Sequence, residues 1–369
     1  MGCNMTDKHV LYGAEFSLYS GKARSYLRYK RIPFDEVLSS LKVYKKIIIP
    51  NTGVRFIPVV RTPSGEYLQD TSNIIDTLET VFAERPVMPA TSRQRLASLL
   101  LEVYGDEWLL IPAMHYRWNH DNQPFIYDEF GRSLFPGWAG FIRRVMGKRI
   151  AARFSGLLPR LGISDANRDA IEDWFERDFL PVLDDHFANH DFLFGGHPTI
   201  GDFGLIGPMY AHLYRDPYPG KMIRRIAPNV AAWVERMKEP GDIGGDLLPD
   251  DAVPESLSPI FRRLFDEHWP VLIDTAKQLG RWAQENTGSE VPRIIGEHEF
   301  SINGITETRA ILPHSIWKMQ RPLDYYRSLS GADKQQADDF LQSVGGLDAL
   351  QFQPPVALTR VQNKLQIAD

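Results

Sequence analysis

The sequence predicts an α/β domain followed by an all-helical (all-α) domain and a third, mostly helical block. Near the N-terminus, short β-branched and aromatic segments alternate with helical periodicity, whereas helical periodicity dominates residues 93–238. Proline and glycine accumulate at residues 84–92 and 239–258, where this periodicity stops. We therefore place the domains at residues 9–83 and 93–238, and a C-terminal extension at residues 259–369.

Composition and charge argue against nucleic-acid-binding and membrane-spanning proteins. The 369 residues are 43% hydrophobic and carry a net charge of −5, with no basic footprint for nucleic acid. The single cysteine, Cys3, excludes an internal disulfide framework and is typical of a reducing compartment. The apolar runs are too short to span a bilayer. We expect a cytoplasmic protein that binds neither nucleic acid nor membranes.

The first block is predicted to contain two parallel strands joined by a helix, then a hairpin and a second helix. The predicted strands cover residues 9–13, 33–37, 56–61 and 66–69, and the predicted helices cover residues 21–30 and the segment that starts at residue 70. Pro58 falls inside the third strand. Because proline cannot donate to a ladder, Pro58 is expected at a strand end, where a cis peptide bond is allowed.

The second block is predicted to be a helical bundle. Its clearest helices cover residues 95–116 and 171–187, with a kink expected at Pro181. Thr199 lies three residues before Asp202 at the start of an apolar run. This spacing is that of a capping box and predicts the buried start of a helix.

The third block is predicted to be helical around one small hairpin. A long helical pattern starts at residue 260, and a second one covers residues 332–344. Between them, two β-branched segments flank Asn303-Gly304, the strongest two-residue hairpin signal.

Two polar patterns in the second block have more than one interpretation. Asp106 and Glu107 interrupt an apolar helix, and they lie either on an exposed face or in an ion pair within a site or across a dimer. His186 and His190 have the i, i+4 spacing of a metal-binding pair, but the accompanying glutamate of the metalloprotease motif is missing. We expect no metal.

Several motifs occur in an order that resembles the cytosolic glutathione transferases. They are Ser17-Leu18-Tyr19-Ser20-Gly21-Lys22-Ala23-Arg24, Ile57-Pro58-Val59, Leu68-Gln69-Asp70-Thr71-Ser72-Asn73-Ile74 and Thr199-Ile200-Gly201-Asp202. The resemblance covers about residues 9–238. It implies a thioredoxin-like N-terminal domain followed by an all-helical domain. The C-terminal extension lies outside the family pattern, and its role is open.

The resemblance implies glutathione as co-substrate and assigns its binding site. Ser17 falls where serine-type members keep the catalytic hydroxyl, with Ser20 as the alternative. A cis-proline at Pro58 would present the Ile57 backbone to a peptide, and Asp70-Thr71 would hold the γ-glutamyl end at a helix start. An apolar electrophile is expected against a group of mostly aromatic side chains, namely Tyr19, Trp108, His115, Tyr116 and Trp118.

The predicted function is therefore that of a homodimeric glutathione transferase in detoxification. A serine hydroxyl that donates to the glutathione sulfur favours the thiolate, which attacks the electrophile. Conjugation, ether cleavage and dehalogenation share this site and remain alternatives. A different class of function is a non-catalytic module of the same fold that binds ligands or proteins through the added block.

Overall fold

The computed structural model describes residues 8–241, 243–286, 288 and 290–368, so that Cys3 lies outside the described residues. The first block has the predicted order of elements. Its strands are β1 (His9–Gly13), β2 (Phe34–Leu38), β3 (Val59–Arg61) and β4 (Tyr67–Gln69). Its helices are α1 (Leu18–Tyr29), α2 (Leu41–Val43), α3 (Ile49–Thr52) and α4 (Thr71–Val81), with a π-helical turn at Tyr44–Ile48.

The four strands form one sheet in the order β2-β1-β3-β4. β1 runs parallel to β2, whereas β3 runs antiparallel to β1 and to β4. The third strand starts at Val59, later than the predicted residue 56. The reason is Pro58, which has no N–H for the ladder and follows Ile57 through a cis peptide bond. The thioredoxin-like topology is confirmed.

The second block is helical, as predicted. Its helices are α5 (Ser92–Val103), α6 (Leu110–Asn119), α7 (Gln123–Leu134), α8 (Gly140–Ser155), α9 (Arg168–Asp173), α10 (Leu180–Phe187), α11 (Ile200–Pro208), α12 (Pro217–Ile226) and α13 (Pro228–Lys238). A π-helical turn at Tyr104–Trp108 divides the helix predicted over residues 95–116. Another, at Trp174–Phe179, directly precedes α10, which has Pro181 in its first turn, where the missing proline N–H is tolerated.

The buried start of α11 is central to this block. The Asp202 carboxylate accepts hydrogen bonds from the backbone N–H of Thr199 at 2.9 Å and of Leu193 at 3.1 Å, so the predicted capping box is confirmed. The helix also passes very close to the π-helical turn after α5. A Cβ atom on Gly105 would lie 2.4 Å from the backbone of Gly204, so this close approach requires glycine.

The third block combines helices with two hairpins. Its helices are α14 (Ser258–Arg263), α15 (Trp269–Glu285), α16 (His314–Ser328), α17 (Gly331–Ser343) and α18 (Leu347–Gln351), and its strands are β5 (Glu297–Ile302), β6 (Ile305–Ala310), β7 (Leu358–Val361) and β8 (Lys364–Ile367). The hairpin predicted around Asn303-Gly304 is confirmed. The β7–β8 hairpin was not predicted, and its turn residues Gln362 and Asn363 both have positive φ.

The third block packs back onto the other two. α16 packs against α5, and buried residues of all three blocks, such as Leu11, Leu100 and Met319, belong to one hydrophobic core. The extension is therefore a fixed part of the fold. Within the described ranges, every helix is too short or too polar to cross a membrane.

Candidate functional site

Several predicted glutathione residues lie at one end of the sheet, at the carboxyl ends of β1 and β4. Tyr12 lies opposite Val59, and Val59 lies opposite Gln69. Pro58, which precedes Val59, is therefore next to Asp70, which follows Gln69, and next to the end of β1, where the chain turns into α1. We call Ser17, Ile57, Pro58, Asp70 and Thr71 the edge site.

Asp70 is the most constrained residue of the edge site. It caps α4 with φ 75° and ψ 136°, outside the regions that non-glycine residues usually adopt, and its Oδ1 accepts the Ser72 N–H at 2.9 Å. The neighbouring Thr71 hydroxyl is buried and has no hydrogen-bond partner in the described part of the chain. A carboxylate and a free hydroxyl therefore lie at the positive end of an 11-residue helix.

The two candidate serines have different environments. Ser20 is fully buried, and its hydroxyl accepts the Ala14 N–H at 3.2 Å, so it fixes the turn between β1 and α1. Ser17 is half-buried at the N-cap of α1, where its hydroxyl accepts the Ser20 N–H at 3.3 Å. Of the two hydroxyls, that of Ser17 is the more accessible.

Two residues of the C-terminal extension form ion pairs with the carboxylate of Asp70. Lys318 Nζ, on α16, lies 3.0 Å from Asp70 Oδ1, and His314 Nε2 lies 3.2 Å from Asp70 Oδ2. Lys318 also donates to the Ser72 hydroxyl at 2.8 Å. The Lys318 side chain is only 2% exposed, so a buried ammonium is part of the site.

This ammonium belongs to a larger buried charge network. Lys318 Nζ lies 3.1 Å from Asp106 Oδ2, and Lys22 Nζ lies 2.7 Å from the same oxygen and 2.8 Å from Glu102 Oε1. Arg321 Nε donates to Glu102 Oε2 at 3.0 Å, and its guanidinium also pairs with Asp76. Asp106 thus lies in a buried ion pair and not on an exposed face, the two alternatives that the sequence left open.

The network sets the protonation states of its members. Burial alone would raise the pKa of Asp70, but the charge of Lys318 and the hydrogen bond from His314 outweigh it and hold this pKa well below its usual range. Burial alone would lower the pKa of Lys318, but Asp70, Asp106 and Glu102 raise it above its ordinary value. Asp70 is therefore ionised and Lys318 is charged at neutral pH.

The β7–β8 hairpin closes over the same edge of the sheet. Arg360 Nη1 donates to the Gln69 carbonyl at 2.9 Å, and Asn363 Nδ2 donates to the Thr52 carbonyl at 3.0 Å. The extension therefore contacts the residue before Asp70 as well as Asp70 itself. Its contacts lie on the part of the first domain where a peptide ligand is expected.

The structure does not gather the predicted electrophile residues into one pocket. Trp108, His115 and Tyr116 are fully buried, and half-buried Trp118 packs against Phe130. Trp108 stacks on a histidine at a ring distance of 5.0 Å, and the Tyr116 hydroxyl donates to a glutamate at 2.7 Å. The prediction of a shared aromatic wall was wrong, because helical spacing does not distinguish a core face from a pocket face.

Tyr19, the remaining candidate, does lie near the edge site. Its hydroxyl donates to the backbone carbonyl of Asp106 at 3.0 Å. Burial, followed by the charges of Glu107, Asp106 and Asp70, raises the pKa of this phenol well above its usual value. Tyr19 therefore stays protonated and connects the start of α1 to the turn after α5.

Sequence reasoning missed the residues that the extension adds to the site. His314, Lys318 and Arg321 follow one another at i, i+4 and i+7, a basic stripe on one face of α16. This basic stripe and the acids Asp106 and Glu107 in the second block are the features of the sequence that could have indicated the contact. The pairing itself joins residues 248 positions apart, which local spacing does not reveal.

Comparisons with protein families match two parts of the chain. Residues 11–86 match the model of the glutathione S-transferase N-terminal domain, and residues 175–236 match that of the C-terminal domain. No curated protein sequence matches significantly.

Solved structures are similar at low sequence identity. A glutathione S-transferase from Rhodospirillum rubrum is 14% identical, with a TM-score of 0.40 over 67% of this chain and 96% of that one. A glutathione S-transferase-like protein from Pseudomonas syringae is 18% identical, with a TM-score of 0.43 over 68% and 79%. A rice glutathione S-transferase in complex with glutathione is 17% identical, with a TM-score of 0.40 over 63% and 87%.

The two family matches lie in the order of the two domains, and each contains motifs on which the resemblance rests. The first spans the sheet, the cis-proline and Asp70-Thr71, and the second spans the capping box of α11. The chain therefore contains, in family order, one region that matches the N-terminal domain and one that matches the C-terminal domain of glutathione S-transferases, together with a C-terminal extension that contacts the edge site.

Proposed function

We propose that the chain binds glutathione at the edge site and transfers the glutathione thiolate to an apolar electrophile. The observation that carries this proposal is the contact of Asp70 with a primary ammonium, that of Lys318, at 3.0 Å. The γ-glutamyl end of glutathione carries a primary ammonium next to a carboxylate. A carboxylate that already pairs with an ammonium is chemically matched to this end of the peptide.

The other groups of glutathione have matching partners in the edge site. The unpaired Thr71 hydroxyl and the positive end of α4 suit the α-carboxylate. The Ile57 backbone, which precedes the cis-proline, suits the peptide part as an added strand. The partly accessible hydroxyl of Ser17 suits the sulfur.

The proposed chemistry requires the glutathione thiol to ionise to the thiolate. The Ser17 hydroxyl donates a hydrogen bond to the sulfur, which lowers the pKa of the thiol, so that the thiol proton passes to water. The sulfur lone pair then forms a bond to the electrophilic carbon, and the bond to the leaving group breaks with its electron pair. Conjugation by displacement, ether cleavage and dehalogenation differ only in that leaving group.

Glutathione binding requires Lys318 to leave Asp70. Both ammonium groups need the same carboxylate, and Lys318 is buried where it stands. The proposal therefore includes an exchange in which the Lys318 side chain, or α16 with it, moves as the peptide enters. The cytoplasmic location, homodimeric state and role in detoxification expected from the resemblance belong to the same proposal.

The contact of Lys318 and His314 with Asp70 also favours a second candidate, a non-catalytic module of the same fold. In that case the extension holds the edge site permanently, and the charge network serves to fix the extension. The two candidates differ in whether glutathione displaces Lys318.

Calorimetry with glutathione and a rate assay with glutathione and 1-chloro-2,4-dinitrobenzene test the proposal. We expect Ser17→Ala to bind glutathione normally but to lower kcat/KM about 10- to 100-fold, since a hydrogen bond to a charged group contributes about 1.5–3 kcal/mol. Ser20→Ala is the comparison variant: it should be folded by circular dichroism and lose less rate than Ser17→Ala, since its hydroxyl holds the β1–α1 turn through the Ala14 N–H.

The outcomes separate the candidates. Glutathione binding without turnover of several chemically different electrophiles would support the non-catalytic module. Loss of turnover in Ser20→Ala alone would move the catalytic hydroxyl from Ser17 to Ser20. A wild-type protein that neither binds glutathione nor turns over an electrophile rejects the transferase.

A further inference from the structure

A cluster of two histidines and one glutamate lies outside the edge site, between α6 and α9. His115 belongs to α6, His120 directly follows that helix, and Glu172 belongs to α9. His115 Nε2 lies 2.8 Å and His120 Nε2 lies 3.0 Å from the same oxygen, Glu172 Oε1. The three atoms lie within 4.8 Å of one another, so two imidazole nitrogens and a carboxylate converge on one point.

Both imidazole rings are held in place by their neighbours. His115 is fully buried, and its Nδ1 lies 2.9 Å from the side-chain amide of Asn119. The ring of His120 stacks against Tyr218 at 4.0 Å and against Tyr116 at 5.1 Å. Since the rings are already ordered, a ligand that binds between them loses little free energy to side-chain ordering.

We propose that His115, His120 and Glu172 bind a divalent transition-metal ion of the zinc type. Two neutral imidazoles and one carboxylate form a ligand set that zinc uses in sites with an open fourth position. The histidine pair with metal-like spacing in the sequence, His186 and His190, is one helical turn apart. Here the ligands lie 5 and 52 residues apart.

Metal binding would use the lone pairs of both Nε2 atoms. In the metal-free chain these nitrogens carry protons that they donate to Glu172 Oε1. In the metal-bound chain both rings change tautomer, so that each carries its proton on Nδ1; that of His115 is donated to the Asn119 side-chain oxygen after the amide turns over. Such a hydrogen bond from the second ring nitrogen is typical of metal-binding histidines.

A cleft gives small molecules access to the neighbourhood of this cluster. It has a volume of about 380 Å³ and is lined by Asn119, Arg168 and Glu307 among others. Arg168, the nearest cation of the cleft, pairs with Asp165 at 2.6 Å, which reduces its repulsion of a metal.

Titration of Zn²⁺ into the untagged, chelator-treated full chain tests the proposal. We expect one Zn²⁺ per chain, with a visible absorption band when Co²⁺ replaces it. Glu172→Gln and His120→Ala should each weaken binding more than about 100-fold, and Asn119→Ala about 10-fold. His190→Ala is the matched control, because it removes a histidine outside the cluster and should leave the affinity unchanged.

A second readout keeps the test independent of each variant's stability. Zn²⁺ should raise the Tm of the wild type and of His190→Ala but not that of Glu172→Gln, whose side chain is half-buried and close in shape to the original. Absence of zinc binding by the wild type would overturn the proposal. So would unchanged affinity in both Glu172→Gln and His120→Ala, or an equal loss in His190→Ala.

Discussion

Substitution of Lys318 by methionine removes one ammonium from the buried network and keeps most of the side-chain volume. In the wild type, Lys318 Nζ lies 3.0 Å from Asp70 and 3.1 Å from Asp106. Three cations, Lys22, Lys318 and Arg321, there face four carboxylates, Asp70, Asp76, Glu102 and Asp106. The variant leaves Lys22 and Arg321, with His314 at 3.2 Å from Asp70, for the same four carboxylates.

The expected cost follows from burial. Removing one partner of a buried ion pair typically costs about 3–5 kcal/mol, because the other charge stays buried without compensation. Lys22 and Arg321 remain close to Asp106 and Glu102, so we expect the lower end, about 3 kcal/mol of unfolding free energy. Adding Asp106→Asn to Lys318→Met should recover part of this loss, because it removes one of the uncompensated carboxylates.

Urea unfolding, followed by tryptophan fluorescence and circular dichroism, measures this loss. Lys364→Met is the matched control in the same block, since Lys364 and Glu290 form an exposed pair at 2.8 Å. We expect the control to change the free energy of unfolding by less than about 0.5 kcal/mol. If Lys318→Met were as stable as Lys364→Met, the buried network would not hold the extension, and the reasoning would be refuted.

Two further predictions concern the same region and the core. Burial alone would lower the pKa of His314, but its hydrogen bond to Asp70 outweighs burial and raises it above 6.5. The stability that His314 contributes is therefore complete below that pH and is lost as pH rises through the folded-state value. Urea unfolding of wild type and of His314→Gln should show a smaller difference in unfolding free energy at about pH 9 than at about pH 6. The same difference at both pH values would contradict this sign. Gly105→Ala should cost about 1–3 kcal/mol, because its Cβ would meet the Gly204 backbone at 2.4 Å, whereas Gly244→Ala, with open space around it, should be neutral in the same assay.

Local signals in the sequence predicted the elements of the fold well. The Asn303-Gly304 turn and the Thr199–Asp202 spacing are both short-range patterns with a direct physical meaning, and both predicted elements are present. The cis bond before Pro58 was likewise a local inference. The turn at Gln362-Asn363 was missed, because a two-residue loop without glycine is a weaker hairpin signal.

The site was predictable only where its residues come from one local motif. Asp70 and Thr71 belong to a single strand-to-helix junction, which the local sequence pattern predicts, and their role in binding stays a prediction. Lys318 reaches Asp70 from a different block, so that its role depends on packing between blocks. Trp108 and Tyr116 were predicted to line a pocket, but both are buried in the core. Helical spacing that suits a pocket wall suits a buried core equally.

Calorimetric titration of glutathione into wild type, Lys318→Met and Asp70→Ala tests the central claim most directly. The claim is that the edge site binds the glutathione ammonium at Asp70, in competition with Lys318. It predicts one site per chain, an affinity at least about 10-fold higher in Lys318→Met, corresponding to about 1.4 kcal/mol, and loss of binding in Asp70→Ala. Equal affinity in wild type and Asp70→Ala, or no binding in Lys318→Met, would contradict it.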